Sequence, residues 1–219
     1  MTLSGPTGAV AAAGTVAGAD HVAAFRDNQD GFALRREGGW TIAVVTDGCS
    51  STPASDLGAR LGALAIARAA ARRLPAAPAE GAAAAIADDL ARAMAVAARM
   101  LGGDPASARA VLADAFLFGW LCAAIGPERA VVLGQGDGAF AVDGAVTTID
   151  PGPDNAPPYP AYALLDVATP GPRVHVDVPA SRIARLAIAT DGAAHLIGEG
   201  GAVGGISTAR LAKNPSLVV

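Results

Sequence analysis

The sequence predicts an α+β fold, because two long helix patterns come early in the chain and a run of short strand patterns follows them. A β-branched apolar run at Thr41–Val45 precedes the helices, and strand patterns dominate from Phe116 onward. This order differs from the regular strand–helix alternation of a Rossmann-type sheet. We therefore expect a layered domain in which helices cover antiparallel strands.

The composition is that of a packed globular protein. Of the 219 residues, 52% are hydrophobic and 16% are charged, which suits a single domain over residues 1–219. The net charge is −4 and there is no basic run, so nucleic acid and anionic membranes are not expected as partners. Cys49 and Cys122 are too few for a disulfide framework, and we interpret both as small core residues.

Targeting signals are not evident in the sequence. No positive charge precedes the small-residue stretch Gly8–Gly18, which argues against a signal peptide. The longest apolar run, Ala115–Ile125, is too short to cross a bilayer. We therefore expect a cytoplasmic protein whose first 19 residues form a loose arm or a first strand.

Two helices are predicted after the first strand. Ser55 is a plausible N-cap of the first, Pro75 ends it, and Leu57, Leu61 and Leu64 recur at helical spacing as its apolar face. A linker at Pro75–Pro78 leads to the second helix, which ends at Gly102 and Gly103. Its apolar stripe is formed by Ile86, Leu90, Met94, Ala97 and Leu101.

Short strands are predicted in the second half of the chain. Asp143 and Gly144 are typical of a two-residue hairpin turn, and the proline-rich stretch Pro151–Pro160 predicts a surface loop or lid. The predicted strands are Phe116–Ala124, Ala130–Leu133, Phe140–Val142, Ala145–Ile149, Ala161–Leu165, Val174–Val178 and Leu186–Ala189.

Three apolar strands end in an Asp-Gly pair, at Asp47, Asp137 and Asp191, and a further acid, Asp30, closes a short acidic run. Carboxylates at strand ends can converge on one sheet edge, where divalent cations would neutralise their repulsion. Oxygen ligands favour Mg²⁺ or Mn²⁺ over zinc. The alternative is that each Asp-Gly pair is only a turn, which is what we expect of Asp143 and Gly144.

These motifs resemble the type 2C metal-dependent protein phosphatase family, particularly its compact bacterial branch. The resemblance runs from about Asp20 to the C-terminus. It is carried by four motifs in order, DNQDGF (Asp27–Phe32), VVTDGCSS (Val44–Ser51) followed by SDLGARLGA (Ser55–Ala63), GQGDGAF (Gly134–Phe140) and IATDG (Ile188–Gly192).

The resemblance implies a four-layer α/β/β/α sandwich of two antiparallel sheets flanked by helices, with a metal site at one edge. In this family pattern Asp47 would bridge two Mn²⁺ or Mg²⁺ ions, the Gly48 carbonyl would bind one, and Asp191 would complete a shell. Asp30 would orient water, and Asp137 would hold a water or a weaker third cation. The bridging water would attack phosphorus in line, so neither Cys49 nor Ser50 need be a nucleophile.

The sequence departs from the family in three places. Lys213 stands where the final acidic ligand is expected, and an ammonium group cannot coordinate a cation. The interval 192–213 is short for the family and rich in glycine. Gln29 replaces a glutamate of many members, which removes one charge near the metals, although the compact branch often has glutamine here.

Phosphate capture is assigned to His21 and Arg26. Family members often place an arginine shortly before the acidic pair, and the compact branch tends to have a histidine where His21 stands; ordinary surface roles for both are the alternative. His195 follows Asp191 closely enough to be a second candidate for the site. His175 alternates with valines and is interpreted as a solvent-facing sheet residue.

Two functions from different classes follow. The first is a metal-dependent phosphatase acting on phosphoserine or phosphothreonine in proteins, with a protein kinase as its counterpart. The second is a degenerate phosphatase with one metal or an impaired site, which serves as a phosphoprotein-binding or regulatory module. Asp47, Asp137 and Asp191 favour the first, and Lys213 favours the second. A phosphatase of small molecules is a third possibility, with Pro151–Pro160 as a reduced docking flap.

Overall fold

The computed structural model describes residues 2–4, 10–23, 27–194, 197–198, 202–203 and 206–207. In chain order its strands are β1 (Thr2–Ser4), β2 (Val10–Ala12), β3 (Gly31–Glu37), β4 (Trp40–Gly48), β5 (Phe118–Ile125), β6 (Arg129–Gln135), β7 (Gly138–Val142), β8 (Ala145–Ile149), β9 (Arg173–Pro179), β10 (Leu186–Ala189), β11 (Ile197–Gly198), β12 (Ala202–Val203) and β13 (Ile206–Ser207). The helices are α1 (Ala19–Ala23), α2 (Ser55–Arg73), α3 (Ala79–Gly102), α4 (Pro105–Ala115) and α5 (Asp191–Ala194).

Two antiparallel sheets form the centre of the fold. The larger has the strand order β3-β4-β5-β6-β9, and the smaller has the order β10-β7-β8. Their facing sides share a cluster in which Phe140 of β7 packs with Ala123 of β5 and Val132 of β6. Cys122 and Leu133, one position along the same strands, belong instead to the core shared with the helices. Helices α2, α3 and α4 build that core, so the predicted α+β sandwich of two antiparallel sheets flanked by helices is confirmed.

The apolar face predicted for α2 is wrong. Leu57, Leu61 and Leu64 are 41%, 42% and 56% exposed, and the helix buries small residues instead. The Cβ of an alanine at Gly58 would lie 1.9 Å from the carbonyl oxygen of Ala115, and one at Gly62 would lie 2.3 Å from the Phe118 ring. The helix therefore approaches its neighbours more closely than a leucine stripe would permit. Ile86, Leu90 and Met94 of α3 are buried as predicted, whereas Leu101 is exposed.

Several element predictions are corrected. Ser55 is the first residue of α2 and not its N-cap, which is Ala54. Strand β3 and helix α4 were not predicted; Asp104 caps α4 by accepting hydrogen bonds from the backbone nitrogens of Ala106 (2.9 Å) and Ser107 (3.1 Å). The strand predicted at Ala161–Leu165 is a 3-10 helix, Pro160–Leu165, because proline at its start fixes a helical φ angle.

The hairpin predicted at Asp143 and Gly144 is confirmed. Val142 of β7 pairs with Ala145 of β8, and the two intervening residues have φ angles of 51° and 96°. Positive φ at both central residues is what a type I′ turn needs, and aspartate and glycine tolerate it best. Asp143 therefore makes a turn, and its Oδ1 accepts hydrogen bonds from the backbone nitrogens of Ala184 (2.9 Å) and Arg185 (2.7 Å).

Three further predictions, on Cys122, on His175 and on membrane-spanning helices, have mixed outcomes. Cys122 is fully buried, and burial raises the pKa of its thiol to about 12. His175 is half-buried with its ring 5.6 Å from that of Phe140, so it is not the solvent-facing residue we predicted. Among the residues described, no helix is long and apolar enough to cross a membrane.

Candidate active site

Four acidic residues from distant parts of the chain line one cavity of about 730 Å³. Asp47 is the penultimate residue of β4, and Asp30 directly precedes β3. Asp137 lies in the turn between β6 and β7, and Asp191 begins α5 just after β10. The structure thus brings together the acids that the strand-end motifs predicted.

Asp47 is at the centre of this group. Burial raises the pKa of its carboxyl group to about 9, and the negative charges of Asp30, Asp191 and Asp137 add to the effect. Its protonated carboxyl group also hydrogen-bonds to Asp191. Such a carboxyl group keeps its proton at neutral pH until a cation replaces it.

Asp30 and Asp137 also have a raised pKa. Burial raises the pKa of Asp30 and of Asp137, and the charge of Asp191 contributes to both shifts. The Thr190 hydroxyl donates a hydrogen bond to Oδ2 of Asp30 at 3.2 Å, which opposes the rise in Asp30. Thr190 belongs to the same Thr-Asp-Gly ending as Asp191, so the segment directly after β10 supplies both residues.

The donor chemistry of this cavity fits a hard divalent cation. All the candidate ligands are oxygen atoms, and the carboxyl groups repel one another when ionised. Within the described ranges, however, no group of three or more His, Cys, Asp or Glu side chains is placed to hold one ion. From the described residues, an ion held here would take two carboxylates at most and complete its shell with the Gly48 carbonyl and water, as Mg²⁺ commonly does.

Gln29 packs against the turn after Asp47 and hydrogen-bonds to it. A Cβ at Gly48 would lie 2.5 Å from the carbonyl oxygen of Gln29, so only glycine fits there. The buried Gln29 side chain donates from Nε2 to the carbonyl oxygens of Cys49 and Thr52, both at 3.2 Å, and to the Ser55 hydroxyl at 2.7 Å. The amide thus orders the turn, a task that a glutamate could not perform because a carboxylate donates no hydrogen bond.

His21 lies where the sequence predicted, at the wall of the cavity. Its Nδ1 is 2.9 Å from the carbonyl oxygen of Asp27, and since a carbonyl only accepts, Nδ1 carries a proton. The charge of His21 also lowers the pKa of Asp30, which places the imidazole near the acids. Arg26, His195 and Lys213 lie outside the described residues.

Three further residues of the cavity wall were missed by the sequence analysis. Cys49 is partly exposed at the cavity, so our interpretation of it as a core residue is wrong. Thr190 could have been found from its place beside Asp191. Tyr159 also lines the cavity, but it belongs to the proline-rich stretch, and no motif marks it.

The comparisons with known proteins bear on the family and the fold of this chain. The family model of protein phosphatase 2C matches residues 17–214. A search of curated proteins finds no match. Similar solved structures include an arginine-to-glutamate variant of a bacterial serine phosphatase, with a TM-score of 0.50 and 12% identity over 78% of this chain and 73% of that chain.

A second similar structure is that of the serine/threonine phosphatase Stp1 from Staphylococcus aureus, with a TM-score of 0.39 and 15% identity over 66% of this chain and 55% of that one. At these identities, the likeness to the first structure establishes the fold, and the likeness to Stp1 adds nothing further. The family model covers nearly the whole chain. The chain therefore belongs to the protein phosphatase 2C family.

Proposed function

We propose that this protein is a Mn²⁺- or Mg²⁺-dependent phosphatase that hydrolyses phosphoserine or phosphothreonine in proteins, and that a serine/threonine protein kinase is its natural counterpart. The observation that carries this proposal is the contact between Asp47 and Asp191 inside a cavity that Asp30 and Asp137 also line. Three of the four carboxyl groups in this cavity have a raised pKa, and a set of simple turns would not explain why they lie together. Family membership supports the reaction class.

Each residue has a distinct part in this proposal. Asp47 and Asp191 would hold divalent cations, with the Gly48 carbonyl as a further ligand; two ions follow from the family pattern. A bound cation lowers the pKa of water and neutralises charge on phosphoryl oxygens. Asp30, fixed by the Thr190 hydroxyl, would orient the attacking water, and Asp137 would hold a water or a weaker third cation.

The degenerate alternative also has support. No three of the described acids are placed to hold one ion together, and the sequence places Lys213 at the register of the final acidic ligand. A protein with one cation or a weakened site could still bind phosphoproteins through the same cavity. This alternative predicts phosphate binding without turnover.

Hydrolysis of p-nitrophenyl phosphate in the presence of Mn²⁺ separates the two functions. We expect metal-dependent turnover by the natural sequence and background turnover by Asp47→Asn, because the amide cannot replace a bridging carboxylate. Asp143→Asn is the matched control, since that aspartate lies outside the cavity, and the asparagine oxygen can still accept from the backbone nitrogens of Ala184 and Arg185. Background turnover in all three proteins would exclude the enzyme.

Lys213→Asp tests the departure from the family directly. If Lys213 occupies a ligand position, an acid there should tighten Mn²⁺ binding and raise turnover together. Calorimetry gives the metal affinity, and p-nitrophenyl phosphate gives the turnover. Unchanged values for both would show that Lys213 has no part in the site.

A further inference from the structure

Tyr159 is a buried phenol at the wall of the acidic cavity. The residue is 9% exposed and lines the cavity together with Asp47 and Asp137. Its hydroxyl group lies close to Cys49, two residues after Asp47, and Sγ of Cys49 contacts Oγ of Ser51 at 3.1 Å. Burial, Cys49 and the two carboxyl groups all raise the pKa of Tyr159 well above its ordinary value, so the phenol keeps its proton.

The segment that carries Tyr159 is fixed to the helical layer and is not an open lid. Ala161, two residues on, is fully buried in the main core. The backbone nitrogen of Tyr162 donates to the carbonyl oxygen of Tyr159 at 3.1 Å, which starts the 3-10 helix. At its end, Arg109 of α4 donates to the carbonyl oxygen of Leu165 at 2.6 Å and pairs with Asp166 at 2.9 Å.

Cys49 is a poor hydrogen-bond partner for the phenol of Tyr159. A thiol sulfur is a weak hydrogen-bond acceptor, whereas the oxygen of a phosphate is charged and binds a donor roughly twice as strongly as a neutral acceptor does. A phosphate drawn into the cavity would also meet carboxyl groups, which repel it until cations are bound. An uncharged donor that cannot ionise suits this place, because it attracts phosphate without adding to the repulsion.

We propose that Tyr159 is a phosphate-positioning residue, whose hydroxyl group donates to a non-bridging oxygen of the phosphate ester. This inference rests on the proposed function and extends it, since it assigns a phosphate contact to a residue outside the family motifs. The rigid anchoring of Pro160–Leu165 holds the phenol at the cavity wall before the ester arrives, so little order is lost on binding.

The test compares Tyr159→Phe with Tyr162→Phe. The two tyrosines share one segment and their rings are 5.4 Å apart, but Tyr162 lines a neighbouring cavity and not the acidic one. Binding of inorganic phosphate to the Mg²⁺-loaded protein is measured by calorimetry, with Mg²⁺ affinity and thermal unfolding measured in parallel. We expect Tyr159→Phe to weaken phosphate binding about tenfold, the usual effect of losing one donor to a charged acceptor, with Mg²⁺ affinity unchanged.

The outcomes are distinguishable from those of the phosphatase assay. Phosphate affinity within twofold of the natural protein in Tyr159→Phe, or an equal loss in Tyr162→Phe, would overturn the inference even if the protein hydrolyses p-nitrophenyl phosphate. A parallel loss of Mg²⁺ affinity in Tyr159→Phe would also overturn it, because the tyrosine would then support the metal ligands. Selective loss of phosphate affinity without turnover in the natural protein would support Tyr159 and refute the enzyme.

Discussion

Asp47, at the end of a central strand, is hydrogen-bonded to Asp191, which follows an edge strand of the other sheet. The contact crosses the sandwich and joins the two sheets at one end. Two carboxyl groups can make it only while they share a proton, so folding of the metal-free protein must take up a proton that a cation would otherwise replace. Stability and activity therefore place opposite demands on Asp47.

Asp47→Asn should make the metal-free protein more stable while abolishing turnover. The amide removes a buried carboxyl group that three other acids repel. We expect a gain of about 1 kcal/mol, or roughly 2–4 °C in Tm for a chain of this size. Thermal unfolding with a chelator present measures it, with Asp143→Asn as the control. A lower Tm than that of the natural protein would show that the carboxyl pair is not repulsive.

Divalent cations should stabilise the protein more at high pH than at low pH. The folded state holds the Asp47 proton up to about pH 9, whereas the unfolded chain releases it near pH 4. Protons bound in the folded state then exceed those in the unfolded state, so the stability of the metal-free protein falls as the pH rises between these values. A cation takes the proton's place, and its affinity rises with pH.

The measurement is the shift in Tm that Mn²⁺ produces at pH 6 and at pH 8. The ion is added at about 1 mM, in excess over the protein. We expect the larger shift at pH 8 in the natural protein. Asp47→Asn should lose most of the shift at both values. Equal shifts at the two pH values in the natural protein would mean that no proton is displaced.

The acidic site was predictable because its residues belong to short sequence motifs at strand ends. Asp47 lies at the end of β4, Asp137 and Asp191 lie just after β6 and β10, and antiparallel packing brings those strand ends together. Tyr159 was not predictable, because its position depends on how Pro160–Leu165 folds against the helices. When tertiary packing alone places a residue at a site, the neighbouring sequence contains no motif that identifies it.

The fold class was predictable for a similar reason, whereas the packing of individual helices was not. Apolar periodicity identified α2, but its leucines face solvent and its glycines and alanines face the core. Hydrophobic patterning assumes that the larger apolar residue is the buried one. Close packing reverses that preference where backbones approach, as at Gly58. Helix α4 was missed because it has only 11 residues and buries mostly alanine, at Ala108 and Ala115, beside Leu112.

Asp89 should contribute to stability through the arginines around it. Its side chain, only 14% exposed, accepts two hydrogen bonds from Arg73 of α2, both at 3.0 Å, and one from Arg92. The hydrogen bond from Arg73 is the main cause that lowers the pKa of Asp89. Because the arginines are largely exposed, solvent screening limits the effect, and Asp89→Asn should destabilise the protein by about 1 kcal/mol at pH 7.

The sign of the pH dependence follows from that lowered pKa. The stabilisation by Asp89 is present above about pH 4, where the unfolded chain is also ionised, and it is lost as the pH falls through the folded-state pKa. Urea unfolding of Asp89→Asn, with the exposed neighbour variant Asp88→Asn as the control, measures the difference. Equal stability of the two variants at pH 7 would show that the arginine contacts contribute nothing.

Glycine-to-alanine substitutions in two helices should have opposite effects. Alanine ordinarily stabilises a helix by about 1 kcal/mol relative to glycine. At Gly81 of α3 the new Cβ would meet only the Cβ of Ala77, at 3.8 Å, so Gly81→Ala should show this gain. At Gly58 the new Cβ would collide with the Ala115 carbonyl, and Gly58→Ala should lose about 3 kcal/mol.

This pair tests whether α2 packs through its small residues. Ala115 ends α4, and Phe116 and Leu117 lead from it into β5, so a displaced α2 would also disturb the strand beside Asp47. Gly58→Ala should therefore lower the turnover of p-nitrophenyl phosphate as well as the free energy of unfolding, whereas Gly81→Ala should leave turnover unchanged. Equal stability changes in the two variants would mean that α2 lies farther from α4 than the 1.9 Å separation between a Cβ at Gly58 and the Ala115 carbonyl oxygen implies.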